Sequence, residues 1–184
     1  MEFFEGYLAK MVDGLLSVDK KLLESAVNIL LKVSTGGGKV IIAGNGGSAA
    51  IASHTSVDLT KNAQVRSINF NESDLITCFS NDFGYERWLE KSLEYYADPG
   101  DCVILISSSG SSINILNAAK KAKEMGISVI TFSGFSSDNP LRDEGDLNFY
   151  IDSKEYNIVE MSHHVWLLAM VDRIIDLKSE SSAV

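Results

Sequence analysis

Three short runs, KVIIAGN (39–45), CVILISSSG (102–110) and SVITFSG (128–134), constrain the fold more than any other feature of the chain. Each is a block of consecutive apolar or β-branched residues closed by glycine or serine. A strand buried on one face alternates with polar residues, whereas a strand buried on both faces does not. The runs therefore predict central strands of a parallel sheet covered by helices on both sides. VRSINF (65–70) and LNFYID (147–152) read as two further strands. Helices are expected after the glycine turn at 44–47, from about Ile113 to Met125, and from about Tyr156 to Leu177. The pattern is that of a doubly wound α/β domain with right-handed crossovers.

The first 34 residues differ. Phe3, Phe4, Tyr7, Leu8, Met11, Val12, Leu15 and Leu16 recur at helical spacing, as do Leu22, Leu23, Ala26, Ile29, Leu30 and Val33. Ser17 or Asp19 is placed to cap the second helix, and STGGG to stop it. A chain of 184 residues suits one domain. It divides into a helical pair at 1–34, an α/β body at 35–178 and a flexible tail at 179–184.

A net charge of −9 argues against a nucleic-acid partner, which needs a basic face. No run of 18 apolar residues is present, so no membrane span is expected. The opening MEFFEGYLAKMVDGLL carries acids where a secretory leader is basic. Cys78 and Cys102 lack metal or redox spacing and read as reduced thiols of a cytoplasmic protein. The N-terminal helices and the last helix, with VWLLAMV in one run, carry more apolar surface than one small domain can cover. Subunit contacts, most simply a closed tetramer, are the expected cover.

In doubly wound folds ligands bind beyond the carboxyl ends of the strands. Two strand ends here are alike, AGNGGSAA and ISSSGSS. Glycine lets the backbone approach a ligand, and the helix start behind it offers free N–H groups and a positive dipole end. Ser107, Ser108, Ser109 and Ser112 put four hydroxyls within six residues. The pair of loops points to a phosphate. No G-x-G-x-x-G and no Walker lysine occur, so no nucleotide cofactor is expected. His54 and Asp58, spaced i,i+4, share a helical face, either as a hydrogen-bonded pair or as metal ligands or acid–base groups.

AGNGGSAA with His54 behind it, CFSNDFGYE and ISSSGSSINIL together resemble the sugar isomerase (SIS) domain, and within it the phosphoheptose isomerases, over almost the whole chain. The resemblance implies a three-layer α/β/α sandwich with a five-stranded parallel, flavodoxin-like sheet, a homotetramer, and conversion of sedoheptulose 7-phosphate to D-glycero-D-manno-heptose 7-phosphate for surface-polysaccharide precursors. It implies phosphate binding at Ser107, Ser108, Ser109 and Ser112, and sugar contacts from Asn45, Gly46, Gly47, Ser48, Asn81 and Asp82. Lys61 falls where relatives often carry a basic residue near the site. The family holds zinc with a His and a Glu at the positions of His54 and Asp58, together with a Gln and a His on the last helix. The register that aligns Glu160 with a family glutamate puts Val159 and Leu167 at the latter two, and neither can ligate or move a proton. That helix offers Glu160, His163 and His164 instead.

Isomerisation through an enediol needs a base for a carbon-bound proton and an acid for the oxygen. Asp58 or Glu160 is the candidate base, and His54, His163 or His164 the candidate acid. A phosphosugar-binding or protein-binding tetramer without turnover is the alternative, as is a different phosphorylated sugar.

Overall fold

The computed structural model describes residues 1–182. Five strands form one sheet in the order β2-β1-β3-β4-β5, every pair parallel: β1 (Val40–Gly44), β2 (Ser67–Asn69), β3 (Cys102–Ser107), β4 (Ser128–Ser133) and β5 (Leu147–Tyr150). This is the flavodoxin-like order, and its switch point lies between β1 and β3.

The unbroken apolar runs are explained by the two cores they serve. Val40, Ile42, Ile104, Ile106, Ile130 and Phe132 point to one face, against α2 (Lys20–Thr35), α3 (Gly47–Lys61) and α7 (Tyr156–Ser182). Ile41, Ala43, Val103, Leu105 and Val129 point to the other, against α5 (Trp88–Tyr96) and α6 (Ile113–Glu124). The strand period of two thus divides each run between two helix layers.

The N-terminal pair forms as expected. α1 (Glu2–Leu16) is followed by Asp19, whose carboxylate accepts from Lys21 N at 2.9 Å and caps α2. α7 packs against α1, α2 and α3 within the one chain, so most of its apolar surface is already covered. α1 is not covered in this way. Phe3 (74% exposed), Phe4, Leu8, Val12 and Leu16 (74%) face outward.

α4 (Ser73–Phe83) takes in Asn81 and Asp82 as its last turn. Two details depart from the sequence pattern. α5 is not anticipated, because nine residues are too few for the helical period to stand out. α7 continues past Leu177 through Ser182, so residues 179–182 belong to the helix and not to a flexible tail; positions 183 and 184 of that expected tail lie outside the described residues.

Candidate active site

Beyond the carboxyl ends of β1 and β3 lies a cleft of about 260 Å³, lined by Asn45, Gly46, Gly47, Ser48, Ile106, Ser107, Ser108, Ser109, Ser112, Tyr156 and Glu160. One wall is the β1–α3 turn. It is tight: a Cβ on Gly44 would come within 2.5 Å of Ser48 Cβ. Gly46 takes φ +54° as the residue before α3, a conformation that only glycine adopts readily. The facing wall is the serine loop. Gly110, at φ +63°, turns it so that its N–H donates to Ser107 O at 2.9 Å, and Ser107 Oγ donates to Ser112 Oγ at 3.1 Å. The loop is braced from behind, where Gly134 N donates to Ser108 O at 2.9 Å and Leu141 N to Gly110 O at 3.1 Å. The Ser108 hydroxyl is buried and has no hydrogen-bond partner among the described residues. A braced loop with an unsatisfied hydroxyl beside two helix N-termini is a ready anion cradle.

The two walls are tied by side-chain amides. Asn45 Nδ2 donates to Asn114 Oδ1 at 3.0 Å, and Asn114 Nδ2 donates back to Asn45 Oδ1 at 2.9 Å. Tyr85 Oη donates to the same Asn45 Oδ1 at 3.2 Å.

α7 closes the cleft with Glu160, whose carboxylate lies against the start of α3. A Cβ on Gly47 would meet Glu160 Cδ at 2.6 Å and Oε1 at 2.7 Å. No cation pairs with this carboxyl among the described residues, and burial raises its pKa above the ordinary carboxylate value of 4.5. One turn on, His164 Nε2 lies 2.9 Å from His54 Nδ1, and His54 Nε2 lies 3.4 Å from Asp58 Oδ2. Burial, and then the neighbouring His54, lower the His164 pKa.

The sequence profile of the SIS domain matches residues 4–134. The chain belongs to the SIS domain family. It is 33% identical over 166 residues to the phosphoheptose isomerase of Mycobacterium tuberculosis, covering 85% of this chain and 84% of that one. Among solved structures, the phosphoheptose isomerase of Neisseria gonorrhoeae superposes with a TM-score of 0.85 at 24% identity, over 94% of this chain and 98% of that one. The enzyme from Francisella tularensis gives 0.86 at 22% identity, over 95% of both.

Measured against the SIS pattern, the structure gathers Asn45, Gly46, Gly47, Ser48, Ser107, Ser108, Ser109, Ser112 and Glu160 into one cleft. It leaves others outside the lining. His54 (side chain 51% exposed), Asp58 and His164 form their own chain of contacts along the seam between α3 and α7. Lys61 sits fourteen residues beyond Gly47 on α3, about 21 Å away at 1.5 Å per residue. Asn81 and Asp82 are exposed on α4, where Asn81 Nδ2 donates to Asp82 Oδ1 at 2.9 Å.

His163 is the plainest correction among the acid–base candidates. It is fully buried, and its Nε2 donates to Ser133 O at 3.1 Å, while Phe132 and Trp166 pack on its ring. Burial lowers its pKa to about 4, so it stands neutral in the core as a packing residue. Val159 and Leu167, which fall at the family's remaining ligand positions, are likewise core side chains.

The donor set does not fit zinc in this arrangement. Tetrahedral zinc requires donors that converge. His54 presents Nδ1 to His164 and Nε2 to Asp58 on different edges of its ring, so these three side chains do not converge on one point, and no group of three or more His, Cys, Asp or Glu side chains is placed to hold a metal ion among the described residues.

Asn114, Tyr85 and Tyr156 were not singled out by the sequence. Asn114 had a signal: it is an amide in the first turn of the helix behind the serine loop, where a helix former would be the neutral choice.

Proposed function

We propose that the protein is a sugar-phosphate aldose–ketose isomerase that interconverts sedoheptulose 7-phosphate and D-glycero-D-manno-heptose 7-phosphate. The observation that carries this reading is the meeting, in one cleft, of the serine cradle and the half-buried Glu160 carboxylate. The named activity of the relatives at 33% identity supports the choice of substrate.

In this reading Ser107, Ser108, Ser109 and Ser112 hold the phosphate, together with the N–H groups at the start of α6. Anchoring the phosphate converts remote binding energy into placement of the reacting carbons. Glu160 takes the proton from one carbon and returns it to its neighbour. A carboxyl made more basic by burial is better matched to that task near neutral pH. The geometry thus favours Glu160 over Asp58 as the base. The His54–His164 pair, with Asp58 behind it, remains the candidate for the proton on oxygen. No step is assigned to a metal.

Incubation with sedoheptulose 7-phosphate, with and without added zinc, tests the reading. Aldoheptose phosphate formed without metal is the expected result. Tight binding of the sugar phosphate with no product in either condition would favour a non-catalytic binder, a reading to which the apolar Val159 and Leu167 lend weight. The proposal extends to a homotetramer, supported by the exposed stripe on α1, and to supply of heptose precursors for surface polysaccharide in the cytoplasm. A monomer at micromolar concentration would overturn the first of these.

A further inference from the structure

We infer that Asn114 and Tyr85 fix the Asn45 side chain as a hydrogen-bond donor aimed at the oxygen that becomes negative in the enediolate. This rests on the isomerase reading and deepens it. Asn45 lines the cleft at the end of β1. An amide oxygen has two lone pairs and an amide nitrogen two hydrogens. Both lone pairs of Asn45 Oδ1 are engaged, one by Asn114 Nδ2 at 2.9 Å and one by Tyr85 Oη at 3.2 Å. One Nδ2 hydrogen goes to Asn114 Oδ1 at 3.0 Å. What remains is a single N–H. In this state Asn45 cannot accept from a sugar hydroxyl and can only donate to an acceptor.

The acceptor that gains most from such a donor is the carbonyl oxygen, because its charge grows on the way to the enediolate. Hydrogen bonds to an ionised acceptor are roughly twice as strong as neutral ones. A donor whose orientation is set beforehand therefore stabilises the transition state more than the bound sugar. Asn114 is 2% exposed and stands in the first turn of α6, directly after the serine loop. The reciprocal amide pair thus makes the phosphate anchor and the donor one rigid unit. Asn114 is absent from the cleft lining, so it acts through Asn45 as a positioning residue.

Two substitutions test this. Tyr85 is 54% exposed, so Tyr85→Phe removes one hydroxyl without disturbing the fold. Asn114→Leu removes the buried partner. Loss of a whole oxyanion donor costs about 10²–10³ in kcat. Loosening one is expected to lower kcat about 10-fold for Tyr85→Phe and further for Asn114→Leu, with KM within about twofold. A readout independent of turnover uses two probes: a phosphorylated aldonohydroxamate, which mimics the enediolate, and the phosphorylated alditol, which lacks the planar anion. Tyr85→Phe should weaken the hydroxamate about 10-fold and the alditol less than about twofold. Equal losses for both probes, no loss for either, or a rise in KM with kcat unchanged would overturn the inference alone. Wild-type protein that binds neither probe would overturn the sugar-phosphate reading, and the inference with it.

Discussion

Gly47→Ala separates the role of Glu160 from the stability of the fold. Gly47 is the first residue of α3, and its φ is not in the left-handed region, so alanine fits the backbone. The added methyl would stand 2.6 Å from Glu160 Cδ and 2.7 Å from Oε1, against an ordinary contact of about 3.4 Å or more. The flexible carboxylate is what yields, by about 1 Å. A misplacement of that size at a reacting group costs about 10²-fold in rate. Stability moves the other way. Alanine is favoured over glycine in a helix by up to about 1 kcal/mol, less at a first position, which for this chain length raises Tm by at most about 2–4 °C. The expected outcome is thus a protein as stable as the wild type, or slightly more so, with kcat down about 100-fold. Turnover assays and thermal melts on the same preparation check it. A double-mutant cycle sharpens the result. Once Glu160→Gln has removed the base, Gly47→Ala should cost almost nothing further, because the two changes act on one carboxylate. Full activity in Gly47→Ala, or additive losses in the double variant, would refute the assignment of Glu160 as base.

Glu160→Gln itself should lower kcat at least about 10²-fold. In the wild type the rate should fall on acidification at a pH above that of an exposed glutamate, because a base works deprotonated and burial raises this pKa. Since the folded pKa is the raised one, ionising Glu160 costs stability as pH rises through it, so Glu160→Gln should gain stability relative to wild type toward neutral pH in urea titrations. His163 supplies an opposite case. Its folded pKa of about 4 lies below the ordinary histidine value of 6.5, so the unfolded chain binds the proton first. Stability is full above about pH 6.5 and declines toward pH 4, by about 3 kcal/mol across that window. His163→Leu should flatten this decline without abolishing turnover, and an unchanged acid limb would refute the burial argument. Ser108→Ala removes an orphan hydroxyl, so it should leave Tm unchanged or raised while weakening inorganic phosphate binding. Unchanged phosphate affinity would take Ser108 out of the cradle.

The sheet and both glycine–serine loops were legible because each is written in local chemistry. Continuous VIIA and CVILI mean burial on two faces, and glycine followed by serine at a strand end means close backbone approach. The phase of α7 was not legible, and the reason is physical. A helix with apolar residues almost all round has no single apolar stripe, so its sequence does not say which side faces inward. Glu160, His163 and His164 therefore looked equivalent, although one lines the cleft, one is sealed in the core and one meets His54. What breaks the tie lies on another element. Gly47 leaves a gap the size of a carboxylate, and Glu160 fills it. Asn45, Asn114 and Tyr85 follow the same logic, since Asn45 and Asn114 meet only when β1 and β3 pair in register, and Tyr85 reaches them from the connection between α4 and α5. The polar half of the site is thus specified by complementarity between elements, which local periodicity does not carry. For that reason the steric test at Gly47 and the hydroxyl deletion at Tyr85, each a change on one element read out on another, probe the site more directly than truncation of any of its serines.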